Sequence, residues 1–323
     1  MLRQLVNEAR FCLTITTTGP LLVKSGTPTL TGPDMTPILT FRNGTPQVFM
    51  PGPSLKGAFR SHIEKVIRTL RPADTVVADP FESKAGTPNR PQAVGAWLEA
   101  RKKGKEEITN ELAYRDSDPV ARLFGSTFFS GRVSIGDAYL LDERIPLPTE
   151  PRDGVGIDRL TGGAVKGAKF DLEVVSAGTV FATDVLLRNF ECWQLGALLL
   201  VVQDMRDELI RLGSGKSRGL GAVKGAIATL TIHHVGRTEG RGENEIWGLG
   251  RFLHRQNNPA YGTWADDTLT STAAPETATM GIRAVQTWRD EGCATLTAQA
   301  VAEFVRRIDA FPAYQEARNG RIA

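Results

Sequence analysis

Cysteine is scarce in this 323-residue sequence: Cys12, Cys192 and Cys293 are the only three, and they stand far apart. An odd number at such spacing builds neither a disulfide framework nor a paired-cysteine zinc site, so a reducing cytoplasm is the expected setting. Long apolar runs are also missing. The longest, 197–202, is far too short to span a bilayer, and Arg3, Glu8 and Arg10 interrupt the first twenty residues, so neither a membrane segment nor an export signal is expected. Net charge is equally low. With 39 Lys+Arg against 36 Asp+Glu the balance is +3, so any nucleic-acid partner must be argued from where charges sit. No internal repeat of the solenoid kind is present. The four histidines, His62, His233, His234 and His254, lack partners at metal-site spacing and read as core or surface residues.

What is present is a globular composition, 41% hydrophobic, enough for one large domain or two modest ones. Residues 9–23 are β-branched and apolar up to Gly19-Pro20, which predicts a strand, a turn and a second extended piece. A Gly/Pro-rich loop follows over 24–51, and a loop that long inside a compact domain is usually functional. Leu55, Phe59, Ile63, Val66, Ile67 and Leu70 recur at helical spacing until Arg71-Pro72 stops them. Residues 73–122 read as an insertion with a helix-prone stretch at 96–112. Strands are expected over 131–145 and 170–188, with Gly178 as a hairpin turn or bulge, and a basic, glycine-rich excursion lies between them. Residues 191–212 predict a second helix with a broad buried face that includes Leu209. A closing strand over 222–235 completes the order strand, helix, strands, helix, strand, which predicts an α+β fold with a ferredoxin-like or RRM-like sheet. Beyond 240 the expectation is a C-terminal helical extension, with a loop over 266–279 and short helices over 281–290 and 297–309.

Two segments carry phosphate chemistry. Residues 213–221 (GSGKSRGLG) place four glycines around Lys216 and Arg218, a composition suited to bringing backbone N–H groups near a phosphate. A nucleotide-binding P-loop is excluded, because it needs a glycine where Ile210 stands and a strand before with a helix after. The second segment, 51–60 (PGPSLKGAFR), opens the first helix with uncapped N–H groups and with Lys56 and Arg60 one turn apart. Gly57 interrupts the first turns, where glycine is destabilising unless something must come close. Asp137 reads as a structural residue at a strand end.

These segments, taken in order with GPLLVKSG, TGPDMTP, ARLFGS, GRVSIGDAYL and VGIDRLTGGAVKGAKFDLEVV, resemble the RAMP superfamily of CRISPR-associated proteins, most closely its type III backbone subunits. The resemblance covers about 10–235. It implies a palm over 1–240 with a β-hairpin thumb at about 150–170, and leaves 241–323 without a role. It implies guide (CRISPR) RNA contacts at Lys24, Ser54, Lys56, Arg60, Arg159, Lys166, Gly215, Lys216, Ser217 and Arg218. Phosphate contacts of that kind position an RNA without reading its sequence. Asp34 matches the position of the family's catalytic aspartate for target RNA cleavage. Carboxylates are weak bases at neutral pH, so Mg²⁺ is the implied aid, held at Asp34. Implied partners are guide RNA, target RNA, adjacent backbone subunits and other type III effector subunits. The alternatives are a non-cutting scaffold, with Asp34 a turn residue, and a guide-processing endoribonuclease.

Overall fold

A computed structural model describes residues 3–26, 32–72, 76–79, 81, 93–142, 146–236 and 238–312; the expected loop residues 27–31 and most of the proline-rich 80–92 lie outside it. The fold grows from one alternating strand. In β1 (Asn7–Thr17), Ala9, Phe11, Leu13 and Ile15 are buried while Arg10 and Cys12 between them are exposed, the period-two pattern of a sheet with one covered face. The helix α1 (Gly52–Leu70) meets that face with Leu55, Phe59, Ile63 and Ile67, four residues apart each time. After β4 (Val133–Ile135), β5 (Ala138–Leu140) and β8 (Val180–Arg188), the helix α5 (Cys192–Arg206) packs on the same core, and β9 (Val223–Val235) closes the unit. The spatial order β9-β1-β8-β5 is antiparallel and ferredoxin-like.

The sheet grows outward at both ends. On one side it adds the hairpin β2 (Leu39–Arg42) and β3 (Thr45–Met50), and on the other β13 (Arg283–Arg289) and β12 (Glu276–Met280). Each predicted element of the palm is present, with corrected bounds. The strand expected over 131–145 is broken by Gly136-Asp137, because the Asp137 carboxylate turns inward to accept the Gly52 N–H at 2.7 Å. Gly178 (φ 78°) is a turn but joins no hairpin, since β7 (Ala164–Val175) pairs with β6 (Thr149–Ile157) in a separate two-stranded ribbon. The second helix ends at Arg206, where Glu208 takes φ 58° and Arg211 bridges Ala222; Leu209 is therefore 71% exposed and outside the core.

The larger correction lies beyond 240. Where a helix is expected over 281–290, Arg283–Arg289 form strand β13, because pairing with β9 overrides the local preference. The expected loop at 266–279 contains β12 and β11 (Thr268–Thr270), which pairs with β10 (Glu245–Trp247). The last helix, α7 (Asp290–Asp309), starts earlier than expected and buries Leu296, Ala300, Phe304 and Ile308 in the main core. It approaches α5 so closely that a Cβ on Gly196 would strike the Ala300 carbonyl. The insertion helices α2 (Val94–Lys103), α3 (Asn110–Arg115) and α4 (Pro119–Phe124) share a second core with Trp247 and with α6 (Leu249–Arg255).

One buried carboxylate ties these layers. Asp267 accepts the Cys192 N–H and the Gly250 N–H, both at 2.9 Å, at the starts of α5 and α6. Burial, reinforced by the Glu191 carboxylate, raises its pKa to about 7. A raised folded-state value means that the folded protein holds the proton more tightly than the unfolded chain. Its contribution to stability is complete below pH 4 and lost as pH rises through 7. The wild-type minus Asp267→Asn difference in urea unfolding free energy is expected to fall by roughly 1–3 kcal/mol between pH 4.5 and 8. A difference flat with pH would contradict this.

Candidate nucleic-acid interface

The glycine-rich turn between α5 and β9 is built by backbone geometry. Gly213, Gly215, Gly219 and Gly221 all have φ between 70° and 86°, a region closed to most side chains. Ser214 N–H donates to Leu22 O at 2.7 Å and Gly221 N–H to Pro20 O at 2.8 Å, which lays the turn along the chain leaving β1. A short 3₁₀ turn over Lys216–Arg218 then pushes Lys216, Ser217 and Arg218 into solvent. Helix precedes and strand follows, as expected against a P-loop. The amides of Ser214, Arg218, Leu220 and Gly221 are committed to protein carbonyls.

A groove of about 410 Å³ runs between this turn and α1. Lys24, Met50, Ser54, Gly57, Ser61 and Lys216 are among its lining residues, and none of the described residues that line it is acidic. Lys24 reaches it because residues 21–25 run beside 35–38: Ile38 N–H donates to Val23 O at 2.9 Å, and Lys24 bridges Pro37. The groove thus joins Lys24, Ser54, Gly215's neighbour Lys216 and the Gly57 surface from three distant segments. A Cβ on Gly57 would meet nothing within 4 Å, so the fold does not require glycine there.

Lys56 and Arg60 are not brought to this groove. The Lys56 ammonium donates to Val133 O at 3.1 Å, and burial, with Arg60 beside it, lowers its pKa. Arg60 pairs with Glu64 at 3.0 Å and lines a different cavity, of about 550 Å³, beside Phe124 and Gly131. The helix start is not an open anion site either: Asp137 takes the Gly52 N–H, Pro53 has none, and Ser54 and Leu55 both donate to Pro51 O. Arg218 lies over the Phe170 ring at 5.5 Å.

The ribbon carries the remaining residues. Arg159 is exposed at its tip, which Asp158 shapes by accepting the Leu160 and Thr161 N–H groups; the Thr161 bond is the first cause of its lowered pKa. Lys166 is exposed on β7. At the ribbon's root, Asp171 N–H donates to Asp34 Oδ2 at 3.1 Å, and Met35 pairs alongside β7. Lys169 stands between Asp153 (3.3 Å) and Asp171 (3.4 Å); the Asp153 hydrogen bond leads the causes that raise its pKa. Among the described residues no group of three or more His, Cys, Asp or Glu is placed to hold a metal. Asp34 still has a second carboxylate oxygen, and Mg²⁺, which keeps its waters and binds through one or two carboxylates plus phosphates, fits such a donor.

Sequence reasoning missed two features. His62 Nε2 lies 2.6 Å from Asp204 Oδ2, joining α1 to α5, and Phe41 stands 78% exposed on β2. Only the second had a signal, the Asn43-Gly44 turn that makes β2 and β3 a hairpin. Two other histidines make contacts within the fold: His234, with burial lowering its pKa to about 3, accepts the Trp247 N–H, and His254 contacts Thr263 O.

A ferredoxin-like sheet with a detached ribbon and a glycine-rich turn over a basic groove defines an α+β protein built around one surface cleft. The model of the RAMP superfamily matches residues 14–224, and the chain belongs to that superfamily. Comparison with curated proteins gives no match. Members of the superfamily are CRISPR-associated RNA-binding proteins. Among the described residues no helix is long and apolar enough to cross a membrane.

Filling the open space over Gly57 separates fold from groove. Gly57→Ala should raise stability by about 0.5–1 kcal/mol in urea unfolding. Gly57→Gln should fold equally well and retain single-stranded RNA at least five-fold less tightly; unchanged retention would place the RNA elsewhere.

Proposed function

We propose that this protein is a guide-RNA-binding backbone subunit of a type III CRISPR effector complex, and that it cleaves guide-paired target RNA through Asp34. The observation that carries the RNA-binding part is the groove itself: Lys24 and Lys216, 192 positions apart in sequence, flank one cleft without an acidic residue. Two point charges on a smooth, hydroxyl-bearing wall hold a ribose-phosphate strand and read no base, which suits a protein whose specificity is delegated to base pairing.

For cutting, Asp34 sits where the exposed ribbon leaves the palm. An intruding ribbon splays target nucleotides, and a flexible backbone reaches in-line geometry. The 2′-oxygen attacks the adjacent phosphorus, the 2′-O–P bond forms and the P–5′-O bond breaks. Asp34 orients the 2′-hydroxyl, whose proton leaves to solvent, and the 5′-oxygen takes a proton from solvent. The products are a 2′,3′-cyclic phosphate and a 5′-hydroxyl. Asp34 would hold Mg²⁺, which would supply neutralising charge at the phosphate. One observation favours the non-cutting alternative: Asp34 already has a structural use, accepting the Asp171 N–H of β7 from 137 positions away.

Two measurements test these parts. Replacing Lys24 and Lys216 together by Ala should weaken RNA binding and flatten its dependence on log salt by about 1.4, whereas Lys56→Ala should leave that slope unchanged. In protein purified with its guide and supplied with Mg²⁺, Asp34→Ala should cut target RNA at least 100-fold more slowly with guide binding intact. Cutting at the wild-type rate would refute Asp34 as the cutting residue.

A further inference from the structure

The hairpin of β2 and β3 has a surface that the fold does not explain. Leu39 lies opposite Val48 and Phe41 opposite Pro46, and paired residues on adjacent strands share a face. On β3 that face continues through Val48, which is buried, to Met50, which lines the groove. Leu39 and Phe41 are therefore its outward continuation, yet they stand 48% and 78% exposed. The opposite face is satisfied within the chain: Phe49 stacks on Tyr139 with ring centroids 6.1 Å apart, and Arg42 lies 4.9 Å over the same ring. Of the large hydrophobic side chains that are exposed among the described residues, only Phe41 and Phe81 are aromatic, and only Phe41 is on a strand.

We infer that Phe41, with Leu39 beside it, is a stacking platform for an unpaired nucleobase of the RNA strand whose backbone lies in the Lys24–Lys216 groove. This rests on the groove being the RNA path. Three observations favour RNA as the occupant. The platform is continuous with the groove, since β2 begins one residue after Ile38, whose N–H is hydrogen-bonded to Val23 O, and Phe41 lies about 13 Å along the strand direction from Met50. The surroundings suit a polyanion: from 35 to 63 the chain has no acidic residue, and Arg42 adjoins Phe41 on β2. The size also fits. Two side chains fall far short of the roughly 800 Å² per partner that a stable protein interface covers, but one aromatic ring matches one base. Stacking of this kind accepts every base, because each has a π-face, so it adds affinity without sequence preference.

The test uses the full chain and a single-stranded RNA carrying 2-aminopurine, whose fluorescence is quenched on stacking. Wild-type protein should quench it. Phe41→Ala should lose the quenching and bind about 5- to 150-fold more weakly, with the same salt dependence as wild type. Phe41→Trp should keep both. The lysine variants behave oppositely, changing the salt dependence and leaving residual binding quenched. Wild-type affinity and quenching in Phe41→Ala would overturn the platform alone. Failure of wild type to bind any RNA would overturn the groove and the platform together. If sedimentation showed wild type self-associating and Phe41→Ala monomeric, with RNA binding equal, the patch would be a contact between copies and the platform would be refuted.

Discussion

Two backbone hydrogen bonds, Ser214 N–H to Leu22 O and Gly221 N–H to Pro20 O, hold the end of β1 against the turn that precedes β9. Everything that gives this molecule a cleft depends on that seam. The strands β1 and β9 are neighbours in the sheet, and ordinary pairing would let the chain between α5 and β9 run flat along the edge. The seam lifts it over the sheet instead, and only positive-φ residues permit the required path. A Cβ at Gly213 would strike the Leu22 carbonyl, and one at Gly221 the Leu212 carbonyl. The glycines therefore act first as structural joints. Their consequence is that Lys216 faces α1 across open space.

The same seam connects the cleft to the ribbon. Leu22 and Leu220, one from each side of it, are buried with Leu172 and Val174 of β7, and Met35 and Phe170 pack against them. Phe170 also covers Gly154 on the facing strand, where a Cβ would enter its ring. A two-stranded ribbon is marginal alone, so this small apolar cluster fixes how the ribbon leaves the palm. Arg218 caps the cluster through its contact with Phe170. Asp34, one residue before Met35, is held to the ribbon's root by the same packing, so a carboxylate on a loop acquires a defined position.

How much of this the sequence disclosed follows from the range of the interactions. β1, α1 and β9 were legible because their burial repeats with the period of the element. The extension of the sheet by β13 was not, since a seven-residue strand is decided by its pairing with β9, 48 to 60 positions earlier. The end of α5 was hidden for a related reason: Leu209 continues the apolar spacing, but the Arg211–Ala222 bridge pulls the chain out of the helix first. The separation of Lys56 and Arg60 from the groove is of another kind. At about 100° per residue they lie roughly 200° and 240° around α1 from Ser54, whereas Gly57 and Ser61 lie within about 60° of it. Applying that arithmetic separates the groove stripe from the Val133 stripe without coordinates, and only the convergence with Lys24 needed the fold.

The scarcity of charge then sets the mode of RNA binding. A cleft holding two lysines releases few counterions, and each phosphate contact on a single strand contributes a salt slope of only about 0.7. One such site cannot hold RNA tightly at physiological salt by electrostatics alone. Affinity has to come from a term that salt does not screen, or from repetition. Stacking on an exposed ring would supply the first. Several copies along one strand would supply the second, because each added copy would bind a chain already tethered by its neighbours, at a high effective concentration. A nearly neutral subunit has an advantage in that arrangement. Strongly basic copies would repel one another and grip any nucleic acid they met, whereas weakly charged ones discriminate by requiring a strand long enough to engage many of them together.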